Sequence, residues 1–202
     1  MKAVVFIDVQ KDFVSGGALA YRHPNGDIVP DIVKFARTCR AEGCALFATA
    51  DTHEKTVFAE GSDVPAEGYL ATLEGKRLPV EHCIKGTEGH KIVDGLLRDG
   101  DTTLIPRGHI VQKNTFGSRN LTGAITFAIM RDMEEPIDKI VLCGFCTSIC
   151  VVSNALYLRA HFPDTPIEVV ENLCGDIDEA SHKAALAVMR NCQIDVVTES
   201  VE

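Results

Sequence analysis

The chain has 202 residues, of which 46% are hydrophobic but only 6% aromatic. That length supports one domain, residues 1–202, with an aliphatic core of its own. A net charge of −9 offers no cationic face to phosphates, so a nucleic-acid or anionic-membrane surface is excluded as an expectation.

The first apolar run, Ala3 to Ile7, is too short for a secretory segment, and no later run reaches the ~18 apolar residues of a membrane span. A cytoplasmic protein with reduced thiols is therefore expected, although eight cysteines are present. Strand-like runs at Ala3–Ile7, Cys44–Ala48, His109–Gln112, Ile140–Cys143, Ile167–Val170 and Ile194–Val197 alternate with helical patterns. The helical patterns cover Asp31–Ala41, Gly89–Arg98, Leu121–Arg131, Ser148–Ala160 and Asp178–Arg190. Continuous apolar strands separated by helices predict a three-layer α/β/α domain with a mostly parallel central sheet. Pro30-Asp31, Thr87 and Asp178 read as helix starts, and Gly43 as a stop. Residues 54–88 hold four glycines and two prolines and exceed an ordinary connection, so they predict a lid or ligand loop.

Ligands of open parallel sheets gather beyond the carboxyl ends of the strands. Asp8, Asp51, His53, Lys113 and Cys150 all follow apolar runs and should open onto one crevice. Cys150 is placed in the first turn of a helix, where unpaired N–H groups and a cationic neighbour favour thiolate. The alternative is a small buried hydrophobe. Lys113 would stabilise that thiolate if held between Asp8 and Cys150, and is otherwise an ordinary surface lysine. Asp51 and His53 project from the same face of an extended segment, which suits one metal ion. His82 would complete an open Zn²⁺, Fe²⁺ or Mn²⁺ set, but it lies 29 residues beyond His53 and spacing alone does not bring it near. His23, His90, His109, His161 and His182 read as surface or cap residues.

The ordered set Phe-Ile-Asp8-Val-Gln-Lys-Asp12-Phe13, Ala-Asp51-Thr-His53, Glu-His82-Cys-Ile-Lys-Gly, Lys113 and Gly144-Phe-Cys-Thr-Ser-Ile-Cys150 resembles the isochorismatase-like cysteine hydrolases. Within them it is most similar to the nicotinamidase branch, over nearly the whole length. The resemblance implies a catalytic triad of Asp8, Lys113 and Cys150, and a divalent metal, zinc foremost, on Asp51, His53 and His82. It also implies a cis peptide between Phe145 and Cys146 that turns the N–H groups of Cys146 and Cys150 toward an oxyanion. The implied reaction is hydrolysis of nicotinamide to nicotinate and ammonia through a thioester, with a role in NAD salvage. Another small amide or an N-carbamoyl compound is the alternative substrate. A non-catalytic metal-binding or redox-sensing module is the alternative from another class.

The chain departs from its relatives in having no tryptophan. Ring stacking then falls to Phe13, with Phe116 and Tyr69 as further candidates. Glu74 is a candidate extra metal ligand, or else an exposed loop glutamate. Metal identity and homo-oligomer formation are left open by the sequence.

Overall fold

The computed structural model describes residues 1–24, 26–132 and 136–199. In chain order the elements are β1 (Lys2–Ile7), α1 (Val29–Ala41), β2 (Ala45–Asp51), the small strands β3 (Val57–Phe58) and β4 (Pro65–Glu67), and α2 (Leu73–Arg77). A second pair of small strands, β5 (Arg98–Asp99) and β6 (Thr102–Thr103), precedes β7 (Ile110–Lys113), α3 (Arg119–Asp132) and β8 (Lys139–Phe145). The chain then forms α4 (Val152–His161), β9 (Ile167–Gly175), α5 (Glu179–Asn191) and β10 (Asp195–Val197).

Six strands form one sheet in the order β10-β9-β8-β1-β2-β7, and each neighbouring pair is parallel. Helices flank it. Because parallel crossovers are right-handed, α1 covers one face while α4 and α5 cover the other. The interior strand β1 has its whole Ala3–Ile7 run buried, which is why its sequence is a continuous apolar run rather than an alternating one. The chain first proceeds from β1 outward to β2 and β7, then restarts at β8 on the opposite side of β1. The crevice beyond the carboxyl ends of β1 and β8 is therefore the topological switch point, where ligand sites of such sheets lie.

All six predicted sheet strands are present, and β9 runs five residues past Val170, to Gly175. Asp178 caps α5 by accepting from Ser181 N–H at 2.8 Å, and Gly43 follows α1 with φ +80°, a conformation that favours glycine.

The predicted helix at Gly89–Arg98 does not form. Its backbone serves instead as a strap beside the β1 exit, with Lys11 N–H donating to Lys91 O, Asp12 N–H to Gly89 O and Val93 N–H to Val9 O. Gly89 admits the Asp12 carboxylate where a Cβ would stand, and Gly95 has φ +85°, so tertiary pairing overrides an apolar periodicity weakened by two glycines. Thr87, expected to start that helix, closes a turn by donating its hydroxyl to Ile84 O at 2.7 Å. Residues 54–88 carry a short hairpin (β3, β4), a single 3₁₀ turn at Tyr69–Ala71 and α2.

Gly144 lies within β8 at φ +124°, and a Cβ there would land on the Ile7 carbonyl. Gly144→Ala should cost about 2 kcal/mol or more by overpacking. Gly123 is exposed inside α3 with open space around it, so Gly123→Ala should add about 0.5 to 1 kcal/mol. Urea unfolding midpoints of the two variants should move in opposite directions.

Candidate active site

Four strand ends supply the reactive groups. Asp8 follows β1 at φ +48°, a left-handed conformation that aspartate tolerates better than most residues. Asp51 ends β2 and Lys113 ends β7, directly opposite each other in the parallel register. After β8 the Phe145–Cys146 peptide is cis, and residues Thr147–Val151 form a π-helical turn that leads into α4. Cys150 thus stands in a π turn and not in the first turn of an α-helix.

Lys113 Nζ lies 2.6 Å from Asp8 Oδ2, 3.6 Å from Asp51 Oδ1 and 3.5 Å from Cys150 Sγ. Both charged side chains of the first pair are essentially inaccessible to water. Thr49 completes the aspartate's shell, its hydroxyl donating to Asp8 Oδ1 at 2.7 Å. Oδ2 meets Lys113 as an ion pair but accepts no well-aligned hydrogen bond among the described residues, which leaves it able to exchange a proton.

Burial pushes the Asp8 carboxyl above its ordinary range, outweighing the attraction of Lys113. Burial also works against the Lys113 ammonium, yet Asp8, Cys150 and Asp51 outweigh it and hold the amine charged. The thiol of Cys150 is pushed well above its usual value, by burial first and by Asp8 next, against the pull of Lys113. The expectation of a resting thiolate is therefore corrected: desolvation exceeds the stabilisation a turn terminus and one ammonium supply, and sulfur rests protonated. Burial also lifts Cys146 to about 12.

A second cluster adjoins the first. His53 Nε2 lies 2.9 Å from Asp51 Oδ2 and His82 Nε2 lies 3.3 Å from the same oxygen. Glu74 Oε1 is 3.8 Å from His53 Nε2 and 3.6 Å from His82 Nε2. One donor atom from each of the four residues lies within 4.8 Å of all the others. Atoms bound tetrahedrally at ~2.0 to 2.2 Å from zinc stand roughly 3.3 Å apart, so these spacings suit a single ion. His82 Nδ1 is 2.8 Å from the Val80 carbonyl, which only accepts, so the proton sits on Nδ1 and the Nε2 lone pair faces the cluster. Asp51 is held below the usual carboxylate range because the two imidazoles and Lys113 outweigh its burial. Glu74 is partly buried and aimed at the histidines, which corrects its reading as an exposed loop residue.

The sequence reading missed the residues that fix these groups. Gln10, fully buried, accepts from Asp51 N–H at 2.7 Å and donates to Asp51 O at 2.8 Å, clamping the end of β2. Asp12 accepts from Cys83 N–H at 2.7 Å, anchoring the residue after His82. Asp176 accepts from Ser148 N–H at 2.7 Å and from its hydroxyl at 2.9 Å, bracing the turn that carries Cys150. Asn154 donates to Cys150 O at 2.8 Å and to Phe116 O at 3.0 Å, linking that turn to the loop after Lys113. Among the four only Asn154, a polar residue inside the apolar helical pattern Val-Val-Ser-Asn-Ala-Leu, carried a signal that could have found it. Several histidines read as surface or cap residues are engaged: His182 bonds Thr147 at 2.8 Å, His90 bonds Thr52 at 2.9 Å, and His109 stacks on Phe47 at 4.4 Å between ring centres.

A cavity of about 1080 Å³ opens above both clusters, lined by Cys146, Cys150, Lys113, Asp51, His53 and His82 among others. Phe13, Tyr69 and Phe116 reach it from different depths. Phe13 is buried with its ring 5.7 Å from that of His82. Tyr69 is buried edge-on against His53 and His82, with its hydroxyl donating to Leu78 O at 2.8 Å, so it buttresses the imidazoles. Phe116 stands half-exposed at the mouth.

Fold and site define an α/β domain whose reactive groups meet at a sheet switch point around a buried cysteine. A model described as the isochorismatase domain matches residues 2–200, and the chain belongs to that family. It is 29% identical over 205 residues to the nicotinamidase of Escherichia coli (strain K12), covering 93% of this chain and 89% of that protein. A protein of Arabidopsis thaliana named as a probable inactive nicotinamidase is 24% identical over 199 residues, covering 97% of this chain and 91% of that one. The crystal structure of the pyrazinamidase of Pyrococcus horikoshii in complex with zinc superposes with a TM-score of 0.72 at 21% identity, covering 98% of this chain and 99% of that chain. That likeness carries the fold.

Removing one member of a buried ion pair leaves an uncompensated charge and typically costs ~3 to 5 kcal/mol. Lys113→Met should therefore lower unfolding free energy by about that amount at neutral pH, and Asp8→Asn in the same chain should restore a large part of it. Denaturant titrations of the two single variants and the double variant close the cycle.

Proposed function

We propose that the protein is a cysteine amidohydrolase that converts nicotinamide to nicotinate and ammonia. One observation supports the reading: a buried ammonium, Lys113, within reach of both the Asp8 carboxylate and the Cys150 thiol, beside a cavity lined by donors that could hold a metal. The nicotinamidase relatives support the amide, and the first alternative is another small amide or an N-carbamoyl compound handled by the same groups.

In this mechanism Asp8 Oδ2 takes the Cys150 proton as sulfur adds to the amide carbonyl. A raised carboxyl suits that transfer, since burial makes the Asp8 carboxylate a stronger base toward the thiol proton while Lys113 keeps it ionised. Backbone N–H groups of Cys146 and Cys150 receive the oxyanion. When the tetrahedral adduct collapses, the carbon–nitrogen bond breaks, Asp8 returns the proton to nitrogen, and ammonia leaves a thioester. Water then adds with Asp8 as base, and expulsion of the sulfur, reprotonated from Asp8, releases the carboxylic acid, which gives its proton to solvent to become the carboxylate. Lys113 stays charged throughout and keeps Asp8 and sulfur in register. Asp51, His53, His82 and Glu74 would hold a divalent cation, which when bound supplies a Lewis acid for the pyridine nitrogen. Phe13 packs beside the bound ring, holding the carboxamide toward sulfur.

Cys150→Ala should reduce ammonia release from nicotinamide by on the order of 10³-fold or more, as loss of a nucleophile does elsewhere. Unchanged release would end the amidohydrolase reading and favour a non-catalytic module. The acid limb of the kcat/KM profile should fall above the ~4 of a free carboxyl, because the raised Asp8 carboxyl becomes protonated, and loses its base function, at a higher pH than usual. Kinetics from pH 4 to 9 locate that limb.

Dialysis against a chelator should remove the metal and most activity, with zinc restoring both. Asp51→Ala should abolish tight binding. Metal content by plasma mass spectrometry before and after dialysis checks both outcomes.

A further inference from the structure

We infer that the preferred substrate is larger than a single-ring amide: an unsubstituted carboxamide on an aromatic ring that bears an apolar extension reaching the cavity mouth. This rests on the amide-hydrolysis reading above and names the substrate class for the same site.

The cavity holds about 1080 Å³, whereas pockets that bury a drug-sized ligand run ~300 to 1,000 Å³. A single-ring amide seated between Cys150 and the metal donors would leave most of that space to water. The cavity wall is mostly apolar, with Glu54, Arg77 and Asn114 among its polar members. Leu73, Phe116 and Ile177 line the mouth, and they stay 69%, 46% and 56% exposed. Leu19, Leu78 and Ile149 continue the same surface inward. Three large apolar side chains around an opening mark a ligand surface rather than ordinary exterior.

The lid is tied to the body at its far end, where His53 N–H donates to Cys83 O at 3.0 Å, Lys85 N–H to His53 O at 2.9 Å and Cys83 N–H to the Asp12 carboxylate at 2.7 Å, and it is braced within itself. Tyr69 N–H donates to Glu54 O at 2.9 Å and its hydroxyl donates to Leu78 O. Thr56 N–H donates to Glu81 Oε1 at 2.9 Å, and Leu70 N–H to Thr56 Oγ1 at 3.1 Å. Gly68 packs on the Lys55 carbonyl and Gly75 on that of Tyr69, each so closely that no Cβ would fit. Nor does the chain contain a tryptophan, the bulkiest side chain, to fill the opening. The extension therefore lies across Leu73 and Ile177 while the carboxamide meets sulfur.

The test compares ammonia release from nicotinamide and from 5-phenylnicotinamide with the metal-loaded protein. The phenyl compound should show kcat/KM about tenfold or more above nicotinamide, chiefly through KM, as expected for one buried apolar group. In Leu73→Ser/Ile177→Ser, two exposed positions whose change spares the core, that ratio should fall to about one. Hydrolysis of nicotinamide with a poorer phenyl compound would overturn the extension and leave the parent reading standing. An unchanged ratio in the double variant would overturn the assigned surface. Release of ammonia from neither compound would overturn both readings.

Discussion

The buried ion pair between Asp8 and Lys113 is the constraint on which the rest of the site depends. Each charge alone would be expelled from so dry a position, or neutralised within it. Together, with Thr49 on one carboxylate oxygen and Asp51 near the ammonium, they persist charged beside a protonated thiol. That arrangement demands a fixed register. Asp51 faces Lys113 across β2 and β7, and a one-residue slip would turn every side chain of the shorter strand to the opposite face.

The same economy explains why one carboxylate serves two clusters. Asp51 stands 3.6 Å from the Lys113 ammonium through one oxygen and within 3.3 Å of both imidazoles through the other. The reactive cysteine and the metal donors are thus coupled through a single side chain, and Gln10 clamps its backbone. The site is rigid on its floor, since Asp8, Asp51 and Lys113 stand at the ends of sheet strands, whereas Glu74 and His82 come from the segment above. Its upper wall comes from a segment with little regular structure, made firm by side-chain hydrogen bonds and two closely packed glycines.

Membership of the isochorismatase family follows from a match across nearly the whole chain, but family alone does not fix the activity. The relatives include both a nicotinamidase and a protein named as a probable inactive one. What distinguishes a working hydrolase is local: contact between Asp8, Lys113 and sulfur, and access to that sulfur from the cavity. In this chain Lys113 reaches both Asp8 and the sulfur of Cys150, and Cys150 and Lys113 line the cavity while Asp8 stands sealed behind them, which is what the proposed hydrolysis rests on.

Much of this was legible in the sequence. The six apolar runs announced a buried parallel sheet because strands covered on both faces need no alternation. The polar residues after those runs, Asp8, Asp51, His53, Lys113 and Cys150, do meet at one place, because the carboxyl ends of such strands share one edge. Periodicity failed at Gly89–Arg98, where neighbouring backbone captured hydrogen bonds that a helix would have used within itself. Nor did it reveal the protonation of Cys150, which depends on how completely water is excluded. Spacing could not bring His82 or Glu74 to Asp51 and His53, since a loop of that length can close in many ways. Those juxtapositions, with the supports from Gln10, Asp12, Asp176 and Asn154, are long-range contacts. Local propensity marks where a chain turns and which face it buries; only the packed tertiary structure decides which distant polar groups meet and what their burial does to their charge.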